Sequence, residues 1–271
     1  IFREPQPGAE RKAAREVIAR FATRAYRRPV TEVELTKLEG FVKMVQAEGE
    51  SWHAGIQLAL QAVLVSPQFL FRGELQPAPG NPEEVALISE FDLASRLSYF
   101  VWSSMPDETL FRLAEQGQLR KNLGREVRRM LDDAKSRALA ENFAGQWLRV
   151  RDISLVKPDP ERYKDFDDGL RKAMLQETLL FFASIQRENR SILDFLRADY
   201  TFVNDRLARH YGLEGVTSPY FQRVPLDVLR RSGVLTHASV LTLTSHATRT
   251  SPVNRGVWIL DSILGTPPPP P

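Results

Sequence analysis

Apolar residues recur every three or four positions along most of the chain, which is the period of an amphipathic helix. In residues 10–28 one face is apolar, and arginine and lysine occupy the other. Thr31 and Glu34 follow in a capping-box pattern, in which the threonine hydroxyl accepts from the glutamate amide and the glutamate side chain reaches back. This pattern predicts a second helix that runs to about Val45.

The same reasoning predicts helices farther along the chain. A third helix begins after Ser51 and ends near Ser66, because Pro67 disfavours α conformation in the residue before it. Ser89 is placed to cap the next helix. Pro106, Asp107 and Glu108 then suit the first turn of another helix, with a proline that needs no amide partner and acids beside the positive end of the dipole. Further helical patterns cover residues 122–133, 136–149, 167–188, 201–211 and 252–264.

Two segments near the end of the chain depart from the helical pattern. Residues 221–225 and 233–244 are rich in β-branched side chains, which allows a short strand, although the apolar positions of the second segment also allow a helix. We therefore predict a mostly α fold. It would be a multi-helix, bundle-like array of about ten helices with at most a short strand pair.

The best internal linker candidate is residues 76–88, which contain three prolines and a glycine. Residues 267–271 are all proline and favour an extended spacer. The predicted organisation is an N-terminal helical domain at 1–75, the linker at 76–88, a central helical domain at 89–213, a small C-terminal domain at 214–266 and the polyproline spacer at 267–271.

Composition excludes several classes of protein. With 42% hydrophobic and 26% charged residues among 271, the chain has the balance of a globular protein. Its net charge of +3 is small for this length, so we expect no nucleic-acid partner. No apolar run approaches the ~18 residues of a transmembrane segment. Because cysteine is absent, these residues contain no disulfide, no thiolate metal site and no covalently attached haem.

Residue patterns for catalysis or metal binding are weak. The four histidines, His53, His210, His237 and His246, show no i, i+4 pair, so we expect no metal site. A nucleophile elbow and a glycine-rich nucleotide loop are both absent from the sequence. We therefore expect no cofactor within this chain, and no catalytic residue can be assigned.

One local group of residues stands out between Ser245 and Gly256. Ser251 and Pro252 are suited to open a helix, and Arg249 and Arg255 flank that end. His246 precedes it. Free amides and guanidinium groups together make an anion site. We predict that His246, Arg249, Ser251 and Arg255 form either an anion-binding site or a structural clamp, and we favour a clamp on an internal carboxylate.

The stretch from Arg11 to Arg28 is basic, with Phe21 and Tyr26 interleaved. Such a stretch is typical of a solvated helix face, but it can also bind an acidic partner. Acidic residues cluster at 161–168 and give the chain a patch of the opposite sign.

Four long segments carry a resemblance to a known set of domains, namely residues 25–31, 60–72, 92–107 and 249–261. They resemble domains of unknown function that occur in tandem in large planctomycete-type proteins with c-type cytochrome segments. The resemblance covers about 9–73, 87–213 and 229 onward. In such proteins a haem-binding Cys-x-x-Cys-His segment typically follows a stretch like residues 264–271, so we expect this chain to be a piece of a longer protein.

The resemblance implies a cellular context. Because c-type haem is attached outside the cytoplasm, it implies a periplasmic or otherwise extracytoplasmic location. We expect a non-catalytic helical scaffold or interaction module that docks to an electron-transfer or membrane-bound assembly. Its partner would be a protein, such as a cytochrome or a membrane-bound redox complex. The alternative is an enzyme domain, an oxidoreductase or a polysaccharide-directed hydrolase, with a site of histidine, arginine and carboxylate.

Overall fold

The computed structural model describes residues 5, 8–74, 80, 81, 83 and 85–269. Within them α-helices dominate and two short strands form one sheet, which confirms the predicted mostly α class. The chain divides into two compact units, Ile1–Arg129 and Met130–Pro271. Parts of the predicted linker (76–79, 82 and 84) and of the spacer (270–271) lie outside the described residues.

The first unit begins with three packed helices, α1 (Glu10–Tyr26), α2 (Glu32–Ala47) and α3 (Trp52–Leu64). Their apolar faces meet in a core that buries Ile18 and Val63 completely. The capping box that opens α2 is confirmed, because the Glu34 amide donates to the Thr31 hydroxyl and the Thr31 amide donates to the Glu34 carboxylate. The helical period of the apolar residues and the capping residues thus specify the same helices in this part of the chain.

The rest of the first unit is built from shorter helices. They are α4 (Pro67–Leu70), α5 (Glu90–Trp102), α6 (Glu108–Glu115), a 3-10 turn (Arg120–Asn122) and α7 (Leu123–Asp132), which crosses the boundary between the units. The hydroxyl of Ser89 accepts from the Asp92 amide and caps α5. Pro67 sits in the first turn of α4, where its missing amide needs no partner.

The second unit is organised around α10 (Asp168–Arg187), which buries Phe181 against Phe195 and Tyr200. The other helical elements are a 3-10 turn (Ala134–Ser136), α8 (Arg137–Leu139), a π segment (Ala140–Ala144), α9 (Gly145–Trp147), a 3-10 turn (Val150–Leu155), α11 (Asp194–Arg197), α12 (Asp205–Tyr211), a 3-10 turn (Val234–Thr236), α13 (Ala238–Leu243), α14 (Pro252–Trp258) and a π segment (Ile259–Ile263).

The predicted helix over 201–211 is wrong in its first part. Residues Tyr200–Val203 form strand β1, which pairs antiparallel with β2 (Gln222–Pro225), and α12 begins only at Asp205. Asn204 ends the strand and caps the helix by accepting from the Leu207 amide at 3.0 Å. The strand partner lies about twenty residues away, so the local pattern could not reveal it.

Residues 233–244 adopt the helical alternative, as a 3-10 turn followed by α13. Gly233 starts this segment with a φ of +56°, a backbone conformation that favours glycine. A Cβ at this position would lie 2.3 Å from the carbonyl oxygen of Phe195. The close backbone approach therefore requires glycine here.

Candidate functional site

The segment from Ser245 to Gly256 forms the predicted turn into a capped helix. Ser245 and Thr250 make an antiparallel β-bridge, and the His246 amide donates to the Arg249 carbonyl at 2.8 Å. The buried Ser251 hydroxyl accepts from the Asn254 amide at 3.2 Å and so caps α14. The local geometry follows from residues within a few positions of one another.

The charged side chains of this segment do not share a common partner. Arg255 donates to the hydroxyls of Thr244 (3.4 Å) and Thr250 (3.2 Å), while His246 and Arg249 are exposed. In the part of the chain that the structure describes, Arg249 and Arg255 have no ion pair with a carboxylate. The internal carboxylate that we favoured is therefore not found there, and anion binding by this segment stays a prediction.

A concave site lies in the first unit, where the end of α1 meets α4, the segment after α4, and α5. Its cavity volume is about 910 Å³. Arginines, aromatic rings and two carboxylates share the lining, and we call it the arginine–tyrosine groove. Its charged and aromatic lining residues are Tyr26, Arg27, Arg28, Phe71, Arg72, Glu74, Asp92, Arg96, Tyr99 and Phe100.

Arg27 builds one wall of this groove. Arg27 ends α1 in the left-handed conformation, with a φ of 60°, and only 6% of its surface is exposed. Its guanidinium donates to the carbonyl oxygens of Gln68 (2.6 Å), Phe71 (2.9 Å) and Phe69 (3.4 Å). Arg27 thereby fixes the backbone of 68–71 against the end of α1.

Two other arginines of the groove are neutralised within the chain. Arg28 makes a two-point ion pair with Glu34, at 2.7 and 3.0 Å. The hydrogen bonds from Arg28 lower the pKa of Glu34 to about 2, so this pair is ionised at neutral pH. Arg96 makes a similar two-point pair with Glu74.

Arg72 differs from these, because no carboxylate among the described residues pairs with it. Its guanidinium carbon lies 4.4 Å from the centre of the Tyr99 ring, and that of Arg27 lies 5.9 Å from the same centre. Cations are attracted to the negative face of an aromatic ring. The groove therefore holds uncompensated positive charge beside an aromatic surface.

The exposed face of α1 adds positive charge near the groove. Arg11, Lys12, Arg20 and Arg24 are exposed and have no ion pair within the described chain. Arg15, by contrast, is tied to Glu32 and Glu39. Residues four apart on a helix are neighbours, so Arg20 and Arg24 lie together on one face of α1, which ends just before the groove residues Arg27 and Arg28. We call Arg20 and Arg24 the basic row.

A buried polar cluster occupies the second unit. Glu177, 1% exposed, accepts hydrogen bonds from the hydroxyls of Thr201 (2.6 Å) and Tyr211 (2.5 Å). Burial raises the pKa of Glu177 to about 7. The Tyr211 oxygen accepts from the Ala238 amide at 2.7 Å, and Arg231 lies over the Tyr211 ring at 3.9 Å. These bonds connect α10 to β1, α12 and α13.

His237 extends the same cluster. Its Nδ1 lies 3.0 Å from the Thr178 hydroxyl, which lies 2.7 Å from the Ser239 hydroxyl. Burial lowers the pKa of His237 to about 3, so the ring is neutral. Its Nε2 has no hydrogen-bond partner among the described residues. Since both His237 and Glu177 are only 1% exposed, the cluster connects elements of the fold and is closed to a substrate in this conformation.

Sequence reasoning missed the groove and the buried cluster, although one signal was present. Glu177 stands at an apolar position of α10, three residues after Met174 and four before Phe181. An acid on a core face marks a buried carboxylate with partners. Tyr26, Arg27 and Arg28 belong to the basic stretch that the sequence did single out.

Two further features of the described residues bear on the expected chemistry. Among the described residues, no group of three or more histidine, aspartate and glutamate side chains is arranged to hold a metal ion. In that same portion of the chain, no helix combines the length and the apolar character needed to cross a membrane.

Three family models match the chain in tandem. Each is described as a protein of unknown function: DUF1595 at residues 13–74, DUF1592 at 88–213 and DUF1588 at 231–271. The boundary between the compact units falls inside the second match. No curated protein and no solved structure gives a match. The chain is therefore a tandem of the planctomycete-type domains DUF1595, DUF1592 and DUF1588, the last of which has the cytochrome-associated family name PSCyt3.

Proposed function

We propose that this chain is a non-catalytic interaction module of an exported, cytochrome-associated protein, with no cofactor of its own. It docks on the extracytoplasmic side to an electron-transfer or membrane-bound assembly. The observation that carries the proposal is the exposed basic face of α1, where Arg20 and Arg24 have no ion pair within the described chain. The cytochrome-associated name of the third domain supports the choice of partner.

Charge is the physical basis of the docking. Unpaired surface arginines steer an acidic partner toward the face that carries them and set its orientation. Such attraction is screened beyond about 8 Å at physiological ionic strength, so the complex weakens as salt is added. Arg28, which is neutralised by Glu34, contributes less than Arg20 and Arg24 of the basic row.

A non-catalytic role is also supported by where acid–base groups lie. His237, Glu177 and Arg231 belong to one cluster, but the histidine and the glutamate are buried. None of the residues that line the arginine–tyrosine groove is a histidine. The described residues therefore offer no accessible histidine–carboxylate pair at either place.

The test is site-specific crosslinking in the native host. Glu16 is exposed and lies one turn before Arg20, so a photoreactive amino acid in its place reports on whatever covers the basic row. We expect an adduct with a haem-containing protein in the extracytoplasmic fraction. The double variant Arg20→Glu, Arg24→Glu should reduce that adduct at least about tenfold.

Matched controls use α2, where Lys37 and Lys43 are exposed. The double variant Lys37→Glu, Lys43→Glu changes the net charge equally and should leave the adduct intact. The proposal is overturned if the adduct lacks haem, if both double variants reduce it equally, or if the protein fractionates with the cytoplasm.

A further inference from the structure

We propose that the arginine–tyrosine groove binds a linear peptide segment of a partner protein in which an acidic residue stands beside an aromatic or large aliphatic one. This inference rests on the proposed function and deepens it, because it names what the partner must present. The end of α1 lines the groove, but Arg20 and Arg24 do not, so separate substitutions test the basic row and the groove.

The first step is charge. Of the four arginines in the lining, Arg28 and Arg96 are each held by a carboxylate. Arg27 directs its guanidinium at backbone carbonyls and is buried. Arg72 is left with only an aromatic ring beneath it, so it is the group that can pair with an incoming carboxylate.

The second step is apolar surface. Phe71 and Phe100 line the same groove and are 68% and 58% exposed. Covering either phenylalanine ring is favourable, because it removes a large apolar area from water. A carboxylate alone would leave this surface in water, whereas a peptide with a neighbouring apolar side chain covers it.

The third step is the sign and density of the charge. Asp92 also lines the groove and has no ion pair among the described residues, so its carboxylate would repel a polyanion such as a nucleic acid or a polyphosphate. One free guanidinium beside aromatic rings instead matches one or two carboxylates on an apolar segment. The cavity volume of about 910 Å³ is large enough to take several side chains.

The experiment measures the anisotropy of three fluorescent hexapeptides with the whole chain. One peptide alternates glutamate with phenylalanine, one alternates lysine with phenylalanine, and one alternates glutamate with serine. We expect the first to bind and the other two to bind at least about tenfold more weakly. A fluorescent oligonucleotide serves as the polyanion probe and should bind no better than the glutamate–serine peptide.

Variants locate the binding. Arg72→Gln and Phe100→Ser should each weaken the first peptide at least about tenfold, because one removes the charge and the other the apolar surface. Arg128→Gln and Tyr220→Ser change an exposed arginine and an exposed tyrosine outside the groove, and they should have no effect. Circular dichroism checks that all four variants keep the helical fold.

The inference is overturned if no peptide binds, if the serine peptide or the oligonucleotide binds as well as the phenylalanine peptide, or if the control variants weaken binding equally. A haem-containing adduct at position 16 without peptide binding would refute the groove and leave the docking proposal standing. Peptide binding without that adduct would refute the docking face alone.

Discussion

At the scale of single residues, Glu177 makes the stability of the second unit depend on pH between about 4.5 and 7. Its pKa is raised from 4.5 to about 7 because it is buried, even though two hydroxyls donate to it. Between these values the folded state keeps a proton that the unfolded state has released. By linkage, the free energy of unfolding then falls as the pH rises through this window.

We therefore expect Glu177→Gln to stabilise the protein at about pH 8, by up to about 3 kcal/mol. A neutral amide can keep the bonds to Thr201 and Tyr211 without a buried charge. Below about pH 4.5, where the glutamate is protonated in both states, the substitution should be close to neutral. Urea unfolding at several pH values measures this, with the exposed Glu16→Gln as control. A variant that is less stable than the parent at pH 8 would contradict the prediction.

The two arginines of the segment from Ser245 to Gly256 should differ when they are removed. Arg255 is half-buried and donates to two threonine hydroxyls, so Arg255→Ala should cost about 1 kcal/mol of stability. Arg249 is exposed, and Arg249→Ala should stay within about 0.5 kcal/mol. Thermal unfolding of both variants measures the difference. A large loss of stability with Arg249→Ala would instead indicate that this segment is a clamp on an internal carboxylate.

At the scale of elements, the turn before α13 depends on one glycine. Gly233→Ala places a Cβ 2.3 Å from one backbone oxygen and 2.6 Å from the Leu196 carbonyl carbon, at a positive φ. Because both obstacles are backbone, we expect a loss of about 3 kcal/mol or more. Denaturant unfolding measures it.

Gly256 provides the matched control for this substitution. It lies inside α14 and a Cβ there would meet nothing within 4 Å. Gly256→Ala should therefore be neutral or stabilise by up to about 1 kcal/mol, since alanine favours helix over glycine. Equal effects of the two substitutions would show that the close approach at Gly233 is not what destabilises the first variant.

At the scale of the whole molecule, the opposite pKa shifts of the buried Glu177 and His237 define a pH range of maximum stability. The pKa of His237 is lowered from 6.5 to about 3, so below 6.5 the unfolded state holds a proton that the folded state lacks. Stability from this group is lost as the pH falls. Between about pH 4.5 and 6.5 the pH dependence from His237 cancels that from Glu177. In this range the folded state holds its proton on Glu177 and the unfolded state holds its proton on His237, so the two states bind equal numbers of protons.

We predict that thermal stability changes little from about pH 4.5 to 6.5 and falls on both sides. The lowered pKa of His210 adds a small rise toward the upper end, and the lowered pKa values of Glu34 and Asp167 deepen the loss in acid. Scanning calorimetry across pH measures the profile. In Glu177→Gln the fall in stability between about pH 6.5 and 7 should disappear, and a fall that persists unchanged would assign it to another group.

Much of this molecule could be predicted from short stretches of sequence. The helical period and the caps at Thr31, Ser89 and Ser251 involve groups no more than four positions apart, and the structure confirms all three caps. The absence of cysteine is enough by itself to exclude covalent haem attachment in these residues. The tandem domains were likewise readable from long contiguous segments.

Tertiary structure alone decided the strand at Tyr200–Val203, the arginine–tyrosine groove and the buried cluster. Arg27 meets the Gln68 carbonyl across 41 positions, and Thr201 meets Glu177 across 24. Which arginine stays unpaired, and which carboxylate is buried, depends on such distant partners. The physical reason is that caps and helical periods are set by near neighbours, whereas burial and charge compensation are set by whatever the folded chain brings alongside.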